Sequence, residues 1–521
     1  MGTRDVVAFI HTYAVDGDFD PFMTSLMDGF GRAGARLHVI RTNDLVEHLG
    51  AKALLPSISE DAILDIIEEI DPAFVFSTNR GGITRQIAAG VKCPIVSWFV
   101  DHVPFQHDVG DERSMFTEKD HVVVSASAMV RAIEARYPRL RGRVHYLPFA
   151  TDRDFFKGVR GGQDINLAFV GTYFHTRPFV KLLKEHVKDR QTACALLDLA
   201  GKLERDFGTD VSALLKQAKL EKVVAAGQMD ASDFEMAAAN VMSMNKRIKY
   251  LDAIADMGLE LWGTENWTEV ADYSMPLLQR YRFGEFVKTR EQLAAVYRRS
   301  RIAVDVPHVQ AVGGLPYRVF DILASPALLI TEYREDSDLF RLFGDDVPVP
   351  MYRDPVELRS LVRFYLDNEE ARRKTVEHCN QLVASGFSFT DRAQELFTVA
   401  GGKLVFDQRK SVSFVPKKKY SSMGLAIGRA LNPAGKRLPE LAGGVLFVFP
   451  FTLCYLILAY SSPKLVHFFA IATRRLLPAQ LREWLIRKLV LGNGVGRNTT
   501  SIGSMRLLIR DAIIRQKQAK I

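Results

Sequence analysis

Twice along this chain, short apolar runs alternate with amphipathic helical stretches. That alternation restricts it to parallel sheets covered by helices on both faces. Val6–Ile10, Arg36–Ile40, Phe74–Ser77, Pro94–Phe99, His121–Ser125 and Val144–Pro148 read as strands. Asp20–Ala33, Glu60–Ile70, Ile83–Ala89 and Ala126–Arg136 carry helical spacing between them. This predicts one doubly wound domain over residues 1–157. Gly158–Gln163 reads as a linker, and the pattern then restarts. Strands are expected at Asn166–Val170, Leu259–Trp262, Ile302–Val306 and Ala327–Thr331, and helices at Arg177–His186, Arg290–Arg299 and Tyr317–Ala324. Helical, polar sequence fills Thr209–Met257, and Pro355–Leu366, Glu369–Ser385 and Phe389–Phe397 are helical. A second doubly wound domain is predicted over 164–400. Ligands bind such sheets beyond the carboxyl ends of the strands, so with two domains the expected site is the cleft between them.

Within the second domain, Val312–Asp321 places two glycines and a proline just before a helical pattern, with a carboxylate one turn inside it. A helix start of this kind faces an anion well. Unbonded backbone N–H groups and the positive end of the dipole meet phosphate, and the carboxylate can accept from sugar hydroxyls. An ordinary loop-to-helix junction has the same appearance, so the surrounding residues must decide.

The chain of 521 residues carries a net charge of +8, placed very unevenly. Gly401–Ile521 holds 21 Lys and Arg against 4 Asp and Glu, so the preceding 400 residues are net acidic. An acidic body with a basic tail points to nucleic acid or an anionic membrane. Leu441–Pro463 contains no charged residue and is just long enough to span a bilayer. Basic residues stand on both sides of it, at Lys417–Lys419, Lys436 and Arg437 before and Lys464, Arg474 and Arg475 after, whereas a span favours one side. Pro450 interrupts the run, so a re-entrant or interfacial segment competes with a span, and a buried helical hairpin is the remaining reading. Leu476–Leu491 has the pattern of a basic amphipathic helix suited to anionic lipid. The uncharged stretch and the lack of aromatic-interleaved basic strands argue against nucleic acid as the partner. The four cysteines are scattered without a C-x-x-C pair, which suggests reduced, intracellular thiols and neither a zinc site nor a disulfide framework. Met1–His11 shows no signal-peptide pattern.

Ser300–Asp305, Gly314–Asp321 and Leu328–Thr331, in that order, resemble the C-terminal half of GT-B glycosyltransferases. The likeness is greatest to the spore-maturation CgeB-like branch of the group 1 glycosyltransferases. Leu261–Gly263, Tyr281–Gly284 and Leu293–Tyr297 precede these segments, and Asp338–Phe343, Tyr352–Leu358 and Arg392 follow, as the family's order requires. In the first half, Ile95–Asp101 resembles the strand ending in tryptophan and aspartate, and Leu147–Phe155 the segment that closes the first domain. The resemblance covers about residues 5–400. It implies an α/β fold of two doubly wound Rossmann-like domains facing a cleft, to which this chain adds a basic, partly hydrophobic helical C-terminal tail over 401–521.

That resemblance implies a nucleotide-diphosphate sugar as donor substrate, no resident cofactor and no bound metal. Basic side chains and a helix N-terminus then stabilise the departing phosphate. Gly313, Gly314 and Leu315 are the candidate backbone donors, and Arg318 or Arg177 the candidate charge, since a guanidinium can bind phosphate bidentately. Asp321 is the candidate ribose acceptor, and Gly171 and Thr172 allow close approach at a strand end. For each arginine a solvated surface charge is the competing reading, and for Asp321 a helix-surface carboxylate. On the acceptor side Asp101, His102 and His11 follow strands where a general base can sit. The expected acceptor is a cell-envelope glycan, a lipid-linked molecule or a protein at the cytoplasmic face of the membrane. Related retaining enzymes often carry two glutamates, and the first of those positions is Gly313 here, so the stereochemistry stays open and an inert scaffold is the alternative. Asp16–Asp18 and Asp152–Asp154 imitate a metal-binding Asp-x-Asp and are read as turns.

An apolar stretch and a basic surface together give firm membrane attachment. Full-length protein is therefore expected to sediment with vesicles containing anionic lipid. High salt should weaken only the electrostatic part and should not release it. Release by salt alone contradicts the two-signal reading. Cleavage of the C-terminus from outside sealed, right-side-out vesicles would establish a full span.

Overall fold

The structure is a computed structural model that describes residues 4–11, 19–42, 46–48, 54–56, 59–101, 116–158, 162–205, 210–402, 411–416 and 419. Its strands, in chain order, are β1 (Asp5–Ile10), β2 (Arg36–Arg41), β3 (Val46–His48), β4 (Leu54–Pro56), β5 (Phe74–Thr78), β6 (Ile95–Phe99), β7 (Asp120–Val124), β8 (Val144–Tyr146), β9 (Ile165–Val170), β10 (Leu259–Trp262), β11 (Ser300–Val304), β12 (Leu328–Glu332), β13 (Met351–Tyr352) and β14 (Ser411–Phe414). Seven form a parallel sheet in the order β14-β2-β1-β5-β6-β7-β8, and five form a second parallel sheet in the order β10-β9-β11-β12-β13. The alternation in the sequence thus yields two parallel α/β sheets. Strands β3 and β4 pair only with each other, as an antiparallel hairpin in which Val46 faces Pro56.

Each sheet changes direction of winding beside its first strand. The next strand lies on one side (β2 beside β1, β10 beside β9) and the later strands on the other (β5 beside β1, β11 beside β9). Such switch points leave a crevice at the carboxyl ends of the two diverging strands. In the first sheet the flanking residues are His11 and Asn79, and in the second Gly171 and Asp305.

Helix ends follow from local chemistry. Asp20 caps Pro21–Arg32 by accepting from the Met23 amide at 2.8 Å, with Pro21 at the first helical position. Thr289 with Gln292, and Ser388 with Asp391, form capping boxes for Arg290–Arg299 and Phe389–Val399. The stretch between β9 and β10 is helical, as its sequence suggests, with Arg190–Arg205 a helix beyond those expected. It contains Arg177–His186, Arg190–Arg205, Val211–Gln217, Glu221–Ala226 and the long Ala231–Asp252. These helices enclose a core of their own around Phe179, Leu182, Leu199, Leu215 and Phe234.

After the second sheet is complete the chain crosses back to the first. Helix Phe389–Val399 packs on Pro21–Arg32, and β14 then extends the first sheet beside β2, with Phe414 opposite Val39. Removing residues after 410 therefore strips an edge strand, and a truncation that preserves the sheet ends at Lys419. Phe22 is the pivot of the buried aromatic contacts here. Its ring lies 5.3 Å from Phe149, 5.6 Å from Trp98, 5.6 Å from Phe389 and 6.0 Å from Tyr317, mostly edge-on. Among the described residues no helix is long and apolar enough to cross a membrane, and the stretch 441–463 lies outside them.

Gly29 lets the two helices approach. A Cβ at this position would sit 2.5 Å from the Phe389 carbonyl oxygen, which is backbone and cannot swing aside. Gly29→Ala is expected to lower stability by roughly 1–3 kcal/mol through overpacking, although alanine favours a helix. Chemical denaturation measures this, and a variant as stable as wild type contradicts the close packing of the returning helix.

Candidate functional site

The carboxyl ends of the second sheet gather charge. Asp305 directly follows β11 and is 1% exposed. Its Oδ1 accepts from Arg318 Nε at 2.8 Å, its Oδ2 from Thr331 Oγ1 at 2.9 Å, and its main-chain oxygen from the Tyr352 hydroxyl at 2.8 Å. Burial alone would lower the Arg318 pKa, but Asp305 beside it raises it above the ordinary value. A second guanidinium, Arg247, lies fully buried behind Arg318. It donates to the main-chain oxygens of Thr172 and, at 3.4 Å, Val306, and stands 4.2 Å over the Phe174 ring. Burial, and then the nearby Arg318 charge, push the Arg247 pKa well down. Asp305 thus bonds Arg318 and acts on Arg247 through its charge alone. Lys246 adds no charge to this balance, because it pairs with Glu332 at 2.6 Å.

His308 closes this cluster, with Phe174 against its ring at 4.3 Å. Its Nδ1 accepts from the Gln310 amide at 3.1 Å and its Nε2 lies 3.3 Å from Asn240 Oδ1, a pattern that suits a neutral ring protonated at Nε2. Burial and then Arg247 drive its pKa well below the usual value, so it adds no charge either.

Gly313, Gly314 and Leu315 lead into helix Tyr317–Ala324, as expected from sequence. The glycines also serve close approach. Val312 and Gly313 both take left-handed backbone, at φ +41° and +79°, and for valine this is strained. A Cβ on Gly313 would lie 2.5 Å from the Asp336 carbonyl oxygen, and one on Gly314 2.5 Å from Ala126 Cβ in the first α/β half. The Gly314 amide donates to Ala311 O at 2.6 Å, and Leu315 is buried. Next to this contact Ser127, through its amide at 2.9 Å and its hydroxyl, donates to the Asp338 carboxylate.

Asp321 is buried at 4% exposure, and its Oδ1 accepts from Thr151 Oγ1 at 2.8 Å, in the segment that closes the first half. Burial raises its pKa well above the usual carboxylate range. Gly171 sits at the end of β9, with its carbonyl accepting from Trp267 Nε1 at 2.8 Å. Thr172 is exposed and offers its carbonyl to Arg247. Arg177 is 77% exposed and paired with Glu269 at 2.8 Å. The structure therefore brings Gly171, Thr172 and Arg318 to one place, together with Arg247, Asp305, Phe174 and His308, to which the sequence reading gave no role.

On the first sheet, Asp101 stands two residues beyond β6. The amide group of Asn79 holds it: Nδ2 donates to Asp101 Oδ2 at 2.7 Å, while Oδ1 accepts from the Val100 and Asp101 amides at 2.9 and 3.2 Å. Asn79 and Arg80 form a left-handed turn after β5, fixed by the buried ion pair of Arg80 with Asp120. From the second half, Gln310 Nε2 reaches Asp101 Oδ1 at 3.2 Å. His11 is exposed at the end of β1, with Nδ1 3.4 Å from Thr42 Oγ1. His102 lies outside the described residues. Asp152 directly precedes a short helix and pairs with Arg32 at 2.9 Å and Arg290 at 3.4 Å, while Asp16–Asp18 also lies outside the described residues.

Residues 246–398 match the glycosyl transferase-like family. That segment includes Arg247, Asp305, Arg318 and Asp321, and the match supports glycosyl transfer as its chemistry. No curated protein matches the chain. Among solved structures it is similar to a glycosyltransferase from Rickettsia africae, at 10% identity over 77% of this chain and 98% of that one, with a TM-score of 0.42. It is also similar to sucrose-phosphate synthase from Thermosynechococcus elongatus, at 11% identity over 76% and 98%, with a TM-score of 0.44. Anabaena HepE in complex with UDP-glucose matches at 7% identity over 76% and 99%, with a TM-score of 0.45. These likenesses are distant, and neither donor nor acceptor is carried over from them.

The raised Asp321 pKa has a signed consequence. A carboxyl that keeps its proton more firmly folded than unfolded stabilises the protein fully below its unfolded pKa, and that contribution is lost as pH rises toward the folded value. Asp321→Asn should then be more stable than wild type at neutral pH, with the gap closing as pH falls through the ordinary carboxylate range. Thermal unfolding of both proteins across that range checks this. A gap that does not vary with pH contradicts the burial argument.

Proposed function

We propose that this chain is a GT-B glycosyltransferase that transfers a sugar from a nucleoside-diphosphate donor, with the diphosphate leaving against Arg318 and Arg247. One observation carries this reading: at the switch point of the second sheet the fully buried Arg247 stands near the part-buried Arg318, which is paired with Asp305, while Arg247 donates to main-chain oxygens. An uncompensated buried cation is costly, and an anion arriving there would offset the cost. Arg318, whose side chain is 15% exposed, is the group that meets phosphate, and Arg247 supplies charge from behind. On this reading basic groups carry the leaving-group charge and the enzyme works without a metal ion. Asp101 is the base candidate on the acceptor side, with His102 next to it in sequence and His11 at the end of β1 as the other candidates. CgeB-like membership, a hexosyl donor and an envelope glycan, lipid-linked or protein acceptor belong to the same proposal. So does action at the cytoplasmic face of an anionic membrane held through residues 401–521.

A catalytically inert scaffold is the second reading. The enclosure of Asp321 against Thr151 favours it, since that carboxyl is not presented to a ribose.

A panel of nucleoside diphosphates and their sugars should raise the melting temperature of wild type, with one base preferred. Arg318→Ala should weaken that binding by roughly 1–3 kcal/mol, the scale of a charged hydrogen bond. Release of nucleoside diphosphate from the sugar nucleotide separates the two readings, because a scaffold binds without turnover. Undiminished binding by Arg318→Ala places the donor elsewhere.

A further inference from the structure

We propose that Gln310 is a positioning residue that orients the Asp101 carboxylate from the opposite half of the molecule. This rests on the glycosyl-transfer reading with Asp101 as base. Asp101 is held on both oxygens by amide donors of different origin. Asn79, from its own sheet, takes Oδ2 at 2.7 Å, and Gln310, from the second half, takes Oδ1 at 3.2 Å. Two such donors fix the plane of the carboxylate.

Gln310 itself is fixed by what precedes it. It lies on the single turn Val309–Ala311, whose cap is His308, and its amide donates to His308 Nδ1. His308 packs on Phe174, which lies over Arg247, and Val306 and Asp305 bond the two arginines. The nine residues from Asp305 to Gly313 therefore carry the partners of the phosphate-binding cations at one end and the partner of Asp101 in the middle. Left-handed backbone at Val312, strained for valine, and at Gly313 ends the segment. A diphosphate that engages Arg318 acts on the same short segment that aims the base.

In the step this serves, the acceptor hydroxyl gives its proton to Asp101 while its oxygen bonds the anomeric carbon. The bond from that carbon to the diphosphate oxygen breaks, and its electron pair leaves on the diphosphate beside Arg318. A residue that only positions Asp101 changes how well the base works and leaves donor affinity alone.

The test uses full-length protein and the hydrolysis of nucleotide sugars, with water as acceptor and released nucleoside diphosphate as the readout. Gln310→Ala should lower kcat by roughly 10-fold, part of the roughly 100-fold or more that the base itself contributes, while KM for the nucleotide sugar stays within about 2-fold. Loss of a donor to the charged carboxylate should also move the acidic limb of the pH–rate profile upward by about half a pH unit or more. Gln310→Glu places a like charge against Asp101 and should be slower than Gln310→Ala. On an Asp101→Asn background Gln310→Ala should add no further loss, because the two act as a unit. An unmoved pH profile, a change confined to KM, or additive losses in the double variant overturns the proposal while leaving glycosyl transfer standing. Absence of turnover by wild type with every nucleotide sugar overturns the glycosyl-transfer reading and this inference with it.

Discussion

The buried contact of Arg318 with Asp305 organises everything around the second switch point. Asp305 uses both carboxylate oxygens and its main-chain oxygen, so it joins helix Tyr317–Ala324, β12 and β13 to the end of β11. Burying this pair costs desolvation on both sides, and such pairs hold only where the remaining hydrogen bonds are satisfied. Here they are, through Thr331 and Tyr352. Arg247 then adds a charge that is paired with no carboxylate among the described residues, with Phe174 under it and His308 against Phe174. Stability alone gives no reason for such a residue, since an apolar side chain of similar size would pack there without desolvating a charge. Anion binding gives one.

Several contacts between the two α/β halves flank the same strand ends. Gly314 lies on Ala126, Ser127 bonds Asp338, Thr151 bonds Asp321, and Gln310 bonds Asp101. Phe22, with Phe149, Tyr317 and Phe389, supplies the apolar part. These contacts draw residues from distant parts of the sequence to the switch points. A cleft enzyme of two sheets needs such pairing, because donor and acceptor groups reside on different halves and must be brought within reach of one another.

The architecture was legible in the sequence because period and composition are local. Helices Glu60–Ile70, Arg177–His186 and Tyr317–Ala324, and strand β10, fall where their patterns place them. What escaped was non-local. Strand β14 is too short to announce itself and forms because β2 offers an open edge. Arg247 sits on a long polar helix, and only its register with the buried Met244 and Leu251 marks it as a charge on an apolar face. Asp305 ends a strand whose motif was recognised, yet its role depends on Arg318 thirteen residues later. Asp321 shows the converse. Its place one turn into a helix suggested a ligand, and its Oδ1 accepts from Thr151, a partner 170 residues away that no local pattern reveals.

The central claim is that a diphosphate completes the charge of Arg318 and Arg247. A crystal structure of the protein with a bound nucleoside diphosphate tests it most directly. The account predicts phosphate oxygens within hydrogen-bond distance of Arg318 at the carboxyl ends of β9 and β11, with Asp101 facing them from the first half and Gln310 still bonded to it. Phosphates bound elsewhere on the second half, with the Arg318–Asp305 cluster untouched, would contradict it.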